Sequence, residues 1–142
     1  NVAQLTLITP AGCGHQINGS FVAGMAAAQS VGEVSHLLRM LGPTAAALPA
    51  ETISEISSEM AKGRLKTLAA TMAHGDTQCI DIISAITSLP DSLPVSALFG
   101  VADTIIPKEH VFNIPARVAV HILRAGHLPH WDTPMQVERV LT

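Results

Sequence analysis

The last third of the chain alternates strand and helix patterns, and this alternation limits the fold more than any other feature. Four elements are predicted there: a strand at 94–100, a short helix opening at Pro107, a strand at 118–123 and a helix from Thr133. Strands that alternate with helices are typical of a parallel sheet. Near the start, the apolar run Leu5–Ile8 is stopped by Pro10 and Gly12, which predicts one more buried strand.

A block of helical patterns separates this first strand from the last two. Apolar residues recur every three or four positions, as in the sets Val31, Val34, Leu37, Leu38; Leu65, Leu68, Ala69, Met72; and Cys79, Ile82, Ile83, Ile86. Ser30 followed by Glu33 has the form of a capping box. We therefore expect four or five amphipathic helices over residues 16–89.

Composition excludes several classes of protein. With 48% hydrophobic and 13% charged residues, the chain is not a disordered tail. A net charge of −3 and 3% aromatic residues leave no basic stripe and few stacking platforms, so we expect no nucleic-acid partner. No apolar run approaches the roughly 20 residues of a membrane span, so no membrane partner is expected. Two cysteines form no disulfide framework, which favours a cytoplasmic location.

Two residues follow the last two predicted strands at short distance and are the candidate catalytic residues. Asp103 lies three residues past the first of these strands, and His127 lies four residues past the second. Because the carboxyl ends of parallel strands border the ligand crevice, these loops bring an acid and an imidazole together. A carboxylate bonded to one ring nitrogen fixes the histidine tautomer and stabilises the imidazolium.

Simpler interpretations exist for each residue. Asp103 can cap the helix near Pro107, and His127 can be an ordinary loop histidine. His127 and His130 are spaced three apart, but no further ligand stands beside them, so no metal site is assigned. Cys13 follows a strand and is interpreted as a buried structural thiol. The remaining histidines are interpreted as surface or satisfied core residues: His15, His36, His74, His110 and His121.

The two loops resemble the acid and histidine loops of α/β-hydrolases, in which a serine precedes the acid and the acid precedes the histidine. The similarity extends over nearly the whole chain to the acyltransferase subunit of acetoin dehydrogenase complexes, through 5–12, 17–19, 27–38 and 65–78. The resemblance implies the C-terminal part of an α/β-hydrolase fold with an inserted helical cap. Residues 1–15 are then a strand and loop of the core, 16–90 the cap, and 91–142 the C-terminal core.

The chain departs from the pattern in one important respect. It contains no G-x-S-x-G elbow, and Ser20 lacks the flanking glycines. Phe99 stands where relatives often have Trp, and Val101-Ala102 where they often have two charged residues. The chain also opens with Asn1 and enters a strand almost at once. We therefore expect the nucleophile and oxyanion hole upstream, in an N-terminal half, and an isolated chain that is inactive.

The resemblance implies that the intact protein moves an acetyl group from lipoyl-lysine to coenzyme A, within a multienzyme complex. A hydrolase of esters or carbon–carbon bonds has the same fold and triad, so that alternative stays open. A third possibility is a non-catalytic helical interaction module in which Asp103 and His127 are vestigial. The partners expected are a small acyl substrate and the N-terminal half, or self-association of the chain through the open edge of Leu5–Ile8.

Overall fold

The computed structural model describes residues 2–142. Its strands are β1 (Leu5–Ile8), β2 (Ala73–His74), β3 (Thr77–Gln78), β4 (Val95–Gly100) and β5 (Ala119–Leu123). Its α-helices are α1 (Gly19–Ala27), α2 (Val31–Leu38), α3 (Pro43–Ala46), α4 (Ala50–Ala61), α5 (Leu65–Met72), α6 (Ile83–Thr87), α7 (Pro129–Asp132) and α8 (Pro134–Leu141). A 3₁₀ helix covers Lys108–Asn113.

The predicted parallel sheet is confirmed. It has three strands in the order β1-β4-β5, and both pairs are parallel. The central strand β4 is the most buried of the three, and its Ala97, Leu98 and Phe99 are at most 1% exposed. Strand β5 forms one edge, where Val120 and Ile122 are exposed. Strand β1 is paired with β4 on one side only, so among residues 2–142 its other edge has no strand partner.

The block between β1 and β4 contains more elements than the sequence predicts. It has six helices, α1 to α6, and the predicted capping box is present at the start of α2, between Ser30 and Glu33. The helix predicted over 79–86 is confirmed only in its second half, because helix α6 begins at Ile83. Residues 73–78 form the small β2–β3 hairpin, which the sequence does not predict.

The side chain of Gln78 explains the hairpin. It accepts a hydrogen bond from the N–H of Gly12 at 2.7 Å and donates one to the carbonyl of Gln16 at 3.1 Å. The N–H of Gln78 also donates to the carbonyl of His15 at 2.8 Å. These bonds hold the chain extended against the loop that follows β1, and apolar periodicity does not reveal them.

Three apolar clusters form the core. One lies on the face of the sheet that carries Ala97 and Phe99, and a second lies inside the helical block around Val34 and Leu37. The third joins the block to the loop after β4 through Ile17, Ile105 and Ile106. Side chains of the helical block pack against these three residues, among them Phe21, Val22, Met40 and Leu41. Of the helices in the described part of the chain, none combines the length and apolar character that a bilayer span requires.

Candidate active site

Asp103 sits in the tight turn that follows β4. Its Oδ1 accepts hydrogen bonds from the N–H groups of Ile105 and Ile106, at 2.8 and 3.0 Å. The simpler interpretation, a cap on the next helix, is wrong, because the 3₁₀ helix starts beyond Pro107 without a side-chain cap. One carboxylate oxygen therefore stabilises the turn that carries it, and the other oxygen is left for a different partner.

His127 lies in the loop after β5, and its backbone is fixed from two sides. Its N–H donates to the carbonyl of Leu41, in the helical block, at 2.7 Å. Its carbonyl accepts the hydroxyl of Thr9, directly after β1, at 2.9 Å. The position of His127 is thus set by the helical block and by the residue that follows strand β1.

The two candidate residues meet as the sequence predicts. The Nδ1 of His127 lies 2.9 Å from the Oδ2 of Asp103. The Asp103 side chain is 1% exposed and the His127 side chain 20% exposed, so the carboxylate is shielded while the ring reaches the surface. Within residues 2–142 the Nε2 of His127 makes no hydrogen bond. This is the geometry in which a carboxylate orients an imidazole whose outer nitrogen exchanges protons.

Thr9 is a part of the site that sequence reasoning did not single out. It has φ 43°, a left-handed conformation that is strained for a β-branched residue. Its N–H donates to the carbonyl of Leu98 at 2.8 Å, which extends the β1–β4 pairing, and its hydroxyl holds His127. The available signal was its place directly after β1, at the same sheet edge as the Asp103 and His127 loops.

Among the described residues, none of the other sequence candidates forms a hydrogen bond with this pair. Cys13 is fully buried, and burial, with a smaller contribution from Asp81, raises the pKa of its thiol to about 11. Ser20 is exposed on α1. His130 packs edge-on against Trp131, with ring centroids 6.1 Å apart. Across the described residues, no group of three or more His, Cys, Asp or Glu side chains is arranged to hold a metal.

One histidine expectation needs correction. His110 is neither a surface residue nor a satisfied core residue, because it is buried and its Nδ1 has no hydrogen-bond partner. Desolvation lowers the pKa of this imidazole; the negative charges of Glu109 and Asp103 oppose that shift, and His15 adds to it. The ring therefore favours the neutral form.

Several cavities are lined by the helical block, and two of them differ in the polarity of their lining. An apolar cavity of about 330 Å³ lies between α1 and α5 and is lined chiefly by small residues, including Val22, Ala26 and Ala69. A more polar one of about 450 Å³ adjoins the Asp103 turn and is bordered by Asn18 and Ser20.

Comparison with known proteins gives one curated relative and several solved structures. The chain is 28% identical to the dihydrolipoyllysine-residue acetyltransferase component of the acetoin cleaving system of Pseudomonas putida, over 142 residues. This alignment covers 97% of the chain and 37% of that protein. No family model matches the chain.

Among solved structures, similarity is high in fold and low in sequence. A meta-cleavage product hydrolase from Pseudomonas fluorescens has a TM-score of 0.75 at 15% identity, covering 99% of this chain and 54% of that one. A 2-hydroxy-6-oxo-6-phenylhexa-2,4-dienoate hydrolase from Rhodococcus gives 0.67 at 13%, covering 97% and 53%. A carboxylesterase from Bacillus subtilis gives 0.62 at 14%, covering 99% and 50%.

The chain thus spans about half the length of these solved structures, and less of the curated relative. Both parts of the sequence resemblance are confirmed. The chain has a partial α/β-hydrolase fold, with a parallel sheet and associated helices, and it is similar to the acetyltransferase component of an acetoin-cleaving system.

Proposed function

We propose that this chain is the C-terminal part of an acyltransferase that moves an acetyl group from lipoyl-lysine to coenzyme A. The observation that carries the proposal is the 2.9 Å pair of Asp103 and His127, with the outer ring nitrogen of His127 free among the described residues. The similarity to an acetyltransferase component supports the choice of acetyl group, lipoyl donor and coenzyme A acceptor.

The chemistry assigned to these residues is proton transfer in two half-reactions. The Nε2 of His127 takes the proton of an upstream serine as the serine oxygen attacks the acetyl thioester, and the proton then leaves with the dihydrolipoyl thiol. In the second half, Nε2 takes the proton of the coenzyme A thiol and returns it to the serine oxygen as the acetyl group transfers. Asp103 stabilises the imidazolium in both halves through Nδ1.

The serine and the oxyanion hole are assigned to an N-terminal half of the same protein. Strand β1 has an edge without a partner among residues 2–142, and its side chains are only half-buried. An upstream strand pairing with this edge would bring a nucleophile beside the carboxyl ends of β4 and β5, where the Asp103 and His127 loops lie. In the absence of that half, the edge is a template for self-association. The intact protein is assigned to a cytoplasmic multienzyme complex.

The second candidate function is hydrolysis of an ester or a carbon–carbon bond. It is favoured by the names of the solved structures that share the fold, which are hydrolases and a carboxylesterase. The same pair serves both reactions, because water replaces the coenzyme A thiol as the acyl acceptor and Nε2 removes its proton in the same way.

The deciding experiment uses the full-length protein and a donor thioester, S-acetyl-dihydrolipoamide, with and without coenzyme A. We expect acetyl-coenzyme A to form much faster than free acetate. Asp103→Asn and His127→Ala should each lower kcat by roughly 10³–10⁴. Matched controls are Asp91→Asn and His36→Ala, which change an exposed carboxylate and an exposed imidazole.

Each outcome selects one function. Acetate release that is independent of coenzyme A identifies the hydrolase. Near-normal rates in Asp103→Asn and His127→Ala exclude catalysis by this pair and favour the non-catalytic module. The isolated chain should release no p-nitrophenol from short esters above a boiled control, because it contains no G-x-S-x-G elbow.

A further inference from the structure

The carboxylate of Asp132 joins the His127 loop to the helical block. Its Oδ2 accepts the N–H of Gly126 at 2.8 Å, and its Oδ1 accepts the N–H of Thr44 at 3.1 Å. Asp132 is the last residue of α7, and Thr44 is the second residue of α3, 88 positions earlier in the chain. Both carboxylate oxygens are thus used, one for each of two segments that are distant in sequence.

The two segments meet at more than this carboxylate. The hydroxyl of Thr44 donates to the carbonyl of Trp131 at 3.3 Å, and the N–H of His127 donates to the carbonyl of Leu41 at 2.7 Å. Residues 41–44 of the block therefore lie along residues 126–132. Among these contacts the Asp132 carboxylate is the charged one, and hydrogen bonds to an ionised acceptor are about twice as strong as neutral ones.

The bond to Gly126 acts one residue away from the ring that pairs with Asp103. A free Gly126 N–H would allow the Ala125–Gly126 peptide, two residues along the backbone from the ring, to rotate, and the loop that carries the ring would shift with it. The distance from Nδ1 to Oδ2 is 2.9 Å, so a displacement of about 1 Å would take the pair out of hydrogen-bond range.

We propose that Asp132 is a positioning residue for His127, which holds the ring in register with Asp103 by fastening the His127 loop to the start of α3. The catalytic consequence rests on the function proposed above. The orientation of the ring is independent of that function and can be measured separately.

The first test is kinetic and uses Asp132→Asn in the full-length protein. The amide matches the carboxylate in size but turns an N–H₂ group toward one of the two backbone donors, which breaks one bond and weakens the other. We expect kcat to fall about 10- to 100-fold while KM stays within about threefold, since orientation and not binding is lost. Glu138→Gln, which neutralises an exposed carboxylate on α8, is the matched control and should leave kcat within about twofold.

The second test observes the ring directly. In histidine-selectively ¹⁵N-labelled protein, the proton shared by Nδ1 of His127 and Asp103 should give a slowly exchanging, strongly downfield resonance, assigned by its loss in His127→Gln. This resonance should disappear or exchange much faster in Asp132→Asn and persist in Glu138→Gln. Asp132→Glu restores both oxygens and the charge on a longer side chain, and it should recover part of the resonance and part of kcat.

A lowered melting temperature in Asp132→Asn, with kcat within twofold and the resonance intact, would mean that Asp132 only stabilises the fold, and would overturn the proposal. If the Asp103–His127 pair is not catalytic, His127→Ala leaves turnover unchanged, but the resonance must still respond to Asp132→Asn. Failure of the proposed function and failure of this inference therefore give different results.

Discussion

Gly126 lies against the backbone of the helical block so closely that a methyl group has no room there. A Cβ at this position would stand 2.5 Å from the carbonyl oxygen of Leu41 and 2.8 Å from the Cα of Gly42. Both neighbours are backbone atoms, so no side-chain rotation relieves the clash. The same Leu41 carbonyl accepts the N–H of His127 at 2.7 Å, so any relief moves the hydrogen bond that places the histidine.

The effect of Gly126→Ala can be worked out from these distances. Ordinary contact with the Leu41 oxygen begins near 3.4 Å, so the loop or the block must move by about 0.9 Å. A displacement of this size, next to a 2.9 Å hydrogen bond, removes most of the Asp103–His127 alignment. Misplacement by about 1 Å costs up to 10²-fold in rate, so we expect kcat of the full-length protein to fall roughly 10- to 100-fold. Overpacking should also lower the free energy of unfolding by about 1–3 kcal/mol.

The control is Gly32→Ala on α2, where an added Cβ meets no atom within 4 Å. Alanine is the better helix former, so this variant should be neutral or more stable by up to about 1 kcal/mol, with unchanged kcat. The assays are steady-state acetyl transfer and urea unfolding. If Gly126→Ala matches wild type in both, the contact between the His127 loop and the block does not constrain the histidine, and the reasoning fails.

Three further predictions concern single groups. Cys79 is exposed and should be alkylated in the folded protein, whereas Cys13, whose pKa is raised to about 11 by burial and Asp81, should react only after unfolding, as mass spectrometry of the two peptides will show. Burial lowers the pKa of His110, so as the pH falls the unfolded chain takes up the proton at a higher pH than the folded chain does. The free energy of unfolding should therefore decrease below about pH 6.5. Urea unfolding at two pH values should show a smaller decrease in His110→Asn than in the wild type. Arg117→Met should cost about 1–3 kcal/mol in the same assay, because the guanidinium donates to three carbonyl groups, those of Ile86, Pro90 and Leu93.

The sheet and the Asp103–His127 pair were predictable because both depend on local patterns. Each strand is a short apolar run bounded by glycine or proline, and a parallel arrangement then places the two strand-end loops side by side. Once the order of the strands is known, the pairing of acid and histidine requires no further information.

The remaining features depend on partners far along the chain. The hydroxyl of Thr9 bonds to His127, 118 positions away, and the carboxylate of Asp132 bonds to Thr44, 88 positions away. Nothing in the sequence next to Thr9 or Asp132 indicates these partners. For the same reason the β2–β3 hairpin was not predicted, because Gln78 bonds to Gly12, 66 positions away. The lack of a partner for the Nδ1 of His110 likewise depends on how distant segments pack, which could not be predicted from the sequence.

The hydrogen bonds between the helical block and the two loops have a consequence for protein engineering. Such a block is an attractive unit to exchange between homologous enzymes, because it leaves and re-enters the sheet between the adjacent strands β1 and β4. In this chain, however, the block supplies the Leu41 carbonyl to His127 and the Met40 carbonyl to the hydroxyl of Thr104, beside Asp103. A chimera that imports a foreign block must reproduce these two carbonyl positions. Exchange junctions are therefore better placed to retain residues 40–44 with the recipient, and to graft only the helices beyond them.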